Sequence, residues 1–267
     1  MRRRAVRVAA ALAAAGLFVL TLAGCGMYSK PPEETLLLAD LVDYRNGLSM
    51  LREGRADEAI ELLNRARTSH PRDANIPNAL GLALLYKKDY TAAVKAFTDA
   101  LNIDPTFIEA RNNRGVVLIE MGRLDDAEAD FQEVLAGPPT QEKAKAHFNL
   151  GLVMKGRARW RDAEREFSLA IADLPAYTAA FRERGLARAR MDQFRGALED
   201  FLAVLKDEPK DPTANYQAAL CLLTAGRRDL AQRYMERTVS SAPESEEGKK
   251  ARRFLDAENA AAQDAIR

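Results

Sequence analysis

The chain has 267 residues, 40 of them basic and 39 acidic, for a formal net charge of +1, and only two cysteines. Nucleic-acid binding needs an excess of cationic side chains on one surface, which this balance does not supply, and two cysteines cannot build a disulfide framework. With 47% hydrophobic and 30% charged residues, the composition fits a well-solvated domain with a core.

The first element in chain order stands outside the fold. Arg2, Arg3, Arg4 and Arg7 precede a run from Val8 to Gly24 that carries no charge. A basic start followed by an apolar stretch and small residues is the layout of a secretory signal. The residues Leu22-Ala23-Gly24-Cys25 resemble the lipobox of bacterial lipoproteins. The resemblance implies a signal peptide over 1–24, a diacylglyceryl group on Cys25, cleavage before it and N-acylation after. The alternative is an uncleaved signal anchor, because the run approaches the length that spans a bilayer. At about 0.8 kcal/mol per buried methylene, two or three chains on Cys25 hold a protein durably where one does not. Gly26 stands where enterobacterial lipoproteins retained in the inner membrane carry aspartate, so the resemblance implies the outer membrane, with the domain facing the periplasm. Cleavage removes four arginines and leaves a charge of about −3. Cys221 is then the only cysteine besides Cys25 and reads as a small, partly buried apolar residue.

Residues 25–39 are expected to form the lipidated cysteine and a short tether. Its stretch GMYSKPPEET, 26–35, reaches about 35 Å if extended. Beyond it the chain repeats. A small residue, an alanine, a bulky apolar residue and a proline recur as Gly47, Ala59, Leu63, Pro71; Gly81, Ala93, Phe97, Pro105; Gly115, Ala127, Phe131, Pro139; Gly151, Ala163, Phe167, Pro175; Gly185, Ala197, Phe201, Pro209; and Ala219, Ala231, Met235, Pro243. The prolines are 34 residues apart except once, where the interval is 36. The units are 40–73, 74–107, 108–141, 144–177, 178–211 and 212–245.

These residues resemble the tetratricopeptide repeat, a helix-turn-helix of this period. Each unit reads independently as two amphipathic helices with apolar residues three and four apart. Small residues sit where paired helices touch, the bulky residue fills the space beside them, and the proline ends the second helix by withholding a donor. Gly54, Gly122 and Gly226 fall at the turns, where a positive φ is easily reached. The expected fold is all-α: a right-handed superhelix, or solenoid, of six repeats with a concave wall of first helices. Residues 246–267, with a weak apolar stripe at Ala251, Phe254, Leu255, Ala262 and Ile266, are expected to form a C-terminal capping helix, a binding tail being the alternative.

Catalytic chemistry finds no constellation. His70 and His147 lie in different repeats without partners at ligand spacing, so no metal is expected. The stretch GLVMKGR, 151–157, lacks the Lys-Ser/Thr ending of a phosphate loop and follows no strand. Trp160 opens a second helix and reads as packing, and Lys155, Arg157, Arg159 and Arg161 read as a solvated helix end. No cofactor or small-molecule substrate is implied, and the chain is read as a non-enzyme.

The family resemblance implies that the second, fifth, ninth and twelfth residues of each first helix face the groove, with the sixth and thirteenth beside them. That assigns Leu41, Tyr44, Leu48, Leu51, Asn78, Leu82, Leu85, Asn112, Val116 and Ile119 to a mostly apolar wall, with Asn113 and Asn149 next to it. An amphipathic helix or another apolar segment of a partner protein would suit it. The alternative for any one of these leucines is packing between repeats. Repeats four and five place Lys145, Phe148, Lys155, Arg182 and Arg190 at the matching positions, and repeat six Tyr216, Leu220 and Leu223. Asn113 and Asn149 match two positions of the clamp by which some tetratricopeptide domains hold a C-terminal carboxylate. Glu183 and Ala179 stand where its basic residues are required, so that clamp does not carry over.

A narrower resemblance lies in RNNRGVVLIEMGRLDDAEADF and, after a connection longer by two residues, AHFNLGLVMKGRARWRDAEREF. These segments are similar to the pilotin family of type IV pilus secretins (PilF, PilW and Tgl type), outer-membrane lipoproteins with six such repeats. The resemblance implies a lipid-anchored scaffold that helps secretin subunits reach the outer membrane and multimerise. Its partners would be a secretin subunit in the groove and the membrane through lipid on Cys25. The alternative is an adaptor lipoprotein for other envelope complexes, such as peptidoglycan hydrolases or outer-membrane assembly factors.

Overall fold

The computed structural model describes residues 41–138 and 140–266. The leader, Cys25 and the tether lie outside the described residues. Thirteen helices are described, and the chain divides into two compact units, one through Ala146 and one from His147. The first holds α1 (Val42–Arg52), α2 (Ala56–Ser69), α3 (Asn75–Lys87), α4 (Tyr90–Ile103), α5 (Ile108–Glu120) and α6 (Leu124–Ala136). The division falls inside α7 (Glu142–Gly156). The second holds the rest of α7, α8 (Trp160–Asp173), α9 (Thr178–Arg190), α10 (Phe194–Asp207), α11 (Pro212–Thr224), α12 (Arg228–Ser241) and α13 (Glu246–Ile266). The architecture is all-α, and successive helices pair as tetratricopeptide repeats do.

Each repeat closes on the same turn. Seven residues after the small residue of the first helix, the backbone turns left-handed, with φ of 78° at Gly54, 65° at Lys88, 73° at Gly122, 56° at Ala158, 58° at Asp192 and 70° at Gly226. The next amide donates to a carbonyl five residues back, as in Asp89 to Leu84 and Arg159 to Met154, both 2.9 Å. This is a Schellman ending, which satisfies carbonyls the helix leaves free. Glycine marked three of these turns. The other three adopt the same geometry with side chains, because the hydrogen bonds and helix packing on both flanks outweigh the cost of a Cβ in this region, about 1–2 kcal/mol.

Within each pair the small residue touches the bulky one sixteen positions on. A Cβ on Gly81 would stand 2.6 Å from the Phe97 ring, one on Gly115 2.6 Å from Phe131, and one on Gly185 2.8 Å from Phe201. Gly151 stands against Phe167 in the same way, and Gly47 against Leu63. Phe97, Phe131, Phe167 and Phe201 are wholly buried, each contributing roughly 2–3 kcal/mol of transfer free energy. In the sixth pair Ala219 faces Met235, where the small residue gains a methyl and its partner is an unbranched chain that can bend around it.

The second helices end one residue earlier than a missing proline donor alone requires. His70, Asp104, Leu174, Glu208 and Ala242 each precede a proline and take ψ between 64° and 97°. The ring of a proline clashes with an α-conformation in the residue before it, so that residue leaves the helix. Helix α13 then packs Ala251, Phe254 and Leu255 against Ala219, Leu222, Ala231 and Met235 of α11 and α12. Its start lies close enough to the α12 end that a Cβ on Gly248 would collide with the Ala242 carbonyl.

Candidate protein-binding face

In the first unit the helices α1, α3 and α5 are neighbours in space. Their apolar positions three, four and seven apart lie on one side: Tyr44, Leu48 and Leu51 on α1, Leu82 and Leu85 on α3, Val116 and Ile119 on α5. All seven are half-buried. Leu41, also half-buried, is the residue before α1. Tyr44, Leu48 and Leu51 rest on the core formed by Ala59, Leu63, Ala79, Leu80 and Ala83, while Leu82 and Leu85 rest on the Phe97 cluster. These side chains therefore both pack between repeats and leave part of themselves exposed. Burial raises the Tyr44 hydroxyl above its usual range, helped by the nearby Asp73 carboxylate, so it stays a neutral donor and acceptor.

Of the asparagines assigned to the groove or beside it, Asn112, Asn113 and Asn149 are buried. Asn112 is 3% exposed and Asn113 7%. The Asn113 amide donates to Asn78 Oδ1 at 3.1 Å, bridging α5 to α3, and the Asn112 amide donates to Glu142 Oε2 at 2.9 Å. Only Asn78 of this group is half-buried. Asn149, in the second unit, is 9% exposed. A short amide side chain at these positions is drawn inward because a neighbouring helix supplies its hydrogen-bond partner.

The cationic positions are likewise engaged. Lys145 Nζ lies 2.6 Å from Glu142 Oε1, so each oxygen of that carboxylate has a donor. In the second unit Lys155 meets Glu183 at 2.5 Å, and Arg182 meets Glu208 at 2.8 Å and Asp211 at 2.9 Å. The Arg190 guanidinium stands over the Trp160 ring, 5.8 Å from its centre. Phe148 stacks obliquely on Tyr177 and Phe167, with ring centres 4.9 and 5.7 Å away. Tyr216, Leu220 and Leu223 are half-buried against the α13 contact. Spacing gave no sign of the partner of His147, whose Nδ1 lies 2.9 Å from Glu166 Oε2. That hydrogen bond, with help from Arg165, holds the Glu166 carboxyl below the usual range although burial works against it.

Two family models, both of the tetratricopeptide repeat, match this chain: one over residues 44–106 and 182–246, the other over 84–146. Together they take in more than half of it. The chain is a tetratricopeptide-repeat protein. Its fold is similar to that of Pseudomonas aeruginosa PilF, with a TM-score of 0.73 and 19% identity over 81% of this tetratricopeptide-repeat chain and 98% of PilF. PilW, a widely conserved type IV pilus biogenesis factor, gives a TM-score of 0.72 and 21% identity over 79% of this chain and 97% of PilW. At these identities the similarity is one of fold. FlbA of Caulobacter vibrioides is 32% identical over 146 residues, which are 52% of this chain and 24% of FlbA, so the chain spans a minor part of that relative's length.

Proposed function

We propose that this protein is a lipid-anchored pilotin of the outer membrane: it receives subunits of a type IV pilus secretin on the first-helix face of its N-terminal unit and promotes their assembly into a multimer. Tetratricopeptide repeats are protein-interaction modules, and a face of half-exposed Leu48, Leu82, Leu85 and Val116 is suited to a protein partner. The observation that carries the reading is the match to nearly the whole of PilF and PilW, 98% and 97% of those chains, by a chain whose Cys25 ends a lipobox-like run. The lipid on Cys25 would hold the repeats at the membrane. There, raised local concentration strengthens a modest affinity without new contacts. The face would cover an apolar segment of each subunit until neighbouring subunits bury it.

The test is an immunoblot for heat- and detergent-resistant secretin multimers in membranes of a strain lacking the gene and of one carrying Cys25→Ala. The expected result is loss of multimers in the first and loss or misplacement in the second. Normal multimers in both strains would reject the reading and turn the search towards other envelope partners.

A further inference from the structure

Charge in the second unit is divided between its edges. The helices of a repeat run antiparallel, so the turns joining first to second helices line one edge and the ends of the second helices line the other. Across the turn edge Arg188 of α9 reaches Glu164 of α8 at 2.8 Å, and the Arg190 guanidinium lies over the Trp160 ring. In repeats four and five this edge, residues 153–164 and 187–198, holds seven basic and three acidic residues. The opposite edge of the same repeats, 170–179 and 204–213, holds two basic and four acidic. The turns of the first unit, 49–60, 83–94 and 117–128, hold five basic and eight acidic, so the cationic edge is not a general property of the repeat. Two of its three acids are already engaged. Asp162 lies between Arg159 and Arg165, at 2.8 and 3.0 Å, and Glu164 meets Arg188. The third, Asp192, is exposed. Arg161 and Arg190 are exposed and have no carboxylate partner among the described residues. Arg195, 95% exposed, has a 3.4 Å contact with the exposed Glu199 one turn on, a kind of pair that holds a side chain weakly. Three guanidinium groups thus face water around Trp160 and Phe194, the half-buried aromatic residues that open α8 and α10.

We infer that this edge docks on an anionic phospholipid bilayer, with Arg161, Arg190 and Arg195 on headgroup phosphates and Trp160 at headgroup depth. A guanidinium fork matches phosphate oxygens in pairs, and clustered cations are drawn to an anionic leaflet within a Debye length. Tryptophan prefers the same interfacial layer, where its ring is half in hydrocarbon and its N–H in water. A small anion would need these groups to converge on one point. They are instead spread over two successive turns on an open edge, as contact with many phosphates in a plane requires. The acidic edge opposite is repelled by the same surface, which gives the unit one orientation on it. The inference rests on the anchored half of the reading above and not on the secretin. A lipid on Cys25, sixteen residues before Leu41, would keep the bilayer within about 55 Å of the first repeat.

Trp160 is the chain's only tryptophan, so its fluorescence reports on this edge alone. The protein purified from cell membranes is mixed with vesicles of phosphatidylcholine, or of phosphatidylcholine with about a third phosphatidylglycerol, each doped with brominated lipid. The anionic vesicles should quench Trp160 about threefold more strongly than the neutral ones. That excess should vanish in about 1 M salt, where the Debye length is about 3 Å. It should vanish also in the double variant Arg161→Glu, Arg195→Glu, whose exposed positions leave circular dichroism unchanged. Equal quenching in both vesicles, or an excess that survives salt or charge reversal, would overturn the inference. A shift in Trp160 emission produced by dissolved glycerol phosphate beside neutral vesicles would assign the edge to a small anion and overturn the bilayer. A protein that fails to float with neutral vesicles would count against the anchor on Cys25, while the Trp160 response to anionic vesicles would still decide the docking edge.

Discussion

Single residues decide whether each helix pair can close. Ala158 holds φ at 56° where Gly54, Gly122 and Gly226 stand in other repeats. Ala158→Gly removes that strain and should raise stability by roughly 0.5–1 kcal/mol, read from the urea midpoint. Gly151→Ala should act in the opposite sense by at least as much, because its methyl would overlap the buried Phe167 ring. The sequence disclosed the Gly151 contact, since small and bulky residues recur sixteen apart in every repeat. It hid the Ala158 turn. A left-handed residue announces itself clearly only when it is glycine, and at Lys88 and Ala158 the surrounding hydrogen bonds impose the conformation on residues with no preference for it, while Asp192 tolerates it better.

At the scale of helices, two sets of charges tie three consecutive elements together. Arg114 of α5 holds Asp130 of α6 at 2.6 and 2.8 Å and donates to Thr98 of α4. Arg184 of α9 repeats the arrangement with Asp200 of α10 and Ser168 of α8, and Arg188 adds bonds to Asp200 and Glu164. Asp200 is almost wholly buried, so Asp200→Ala takes from Arg184 its carboxylate partner, leaves Arg188 with Glu164 alone, and should cost roughly 3 kcal/mol in chemical denaturation. Between α7 and α8 the arginine's position is Leu150, and His147, three residues earlier, meets the equivalent acid, Glu166. The Glu166 carboxyl, held low by His147, contributes stability that is present above its unfolded value of about 4.3 and lost as pH falls through its lower folded value. Glu166→Gln should therefore lower the melting temperature at pH 7 and flatten its decline below pH 4.5 (roughly), as followed by circular dichroism. None of these partnerships was legible in advance. The family resemblance placed Asn112 and Lys145 in the groove and Asn113 beside it, but which acid or amide a neighbouring helix would hold out to them depends on side-chain reach across the packed pair.

For the molecule as a whole, the period of 34 was enough to read the fold, because every repeat states the same pattern and six statements in register are hard to produce otherwise. In the proposed role the lipid on Cys25 and the repeats have separate work. The first described helix begins at Val42, well after Cys25, so Cys25→Ala should leave thermal unfolding of the repeats unchanged while moving the protein out of the membrane fraction, a division that cell fractionation beside calorimetry measures directly. Stability in such a chain is close to a sum over neighbouring pairs, and that makes the fit of glycine to ring more than a packing detail. Neither partner can drift alone: a larger residue at Gly81 meets Phe97, and a smaller one at Phe97 leaves a void that Gly81 cannot fill. Ala219 with Met235 marks the kind of joint exchange that is tolerated. Lineages of this protein are thus free to change length by copying or deleting entire 34-residue cassettes, each carrying its own matched pair, while the interior of any one cassette must evolve two positions at a time.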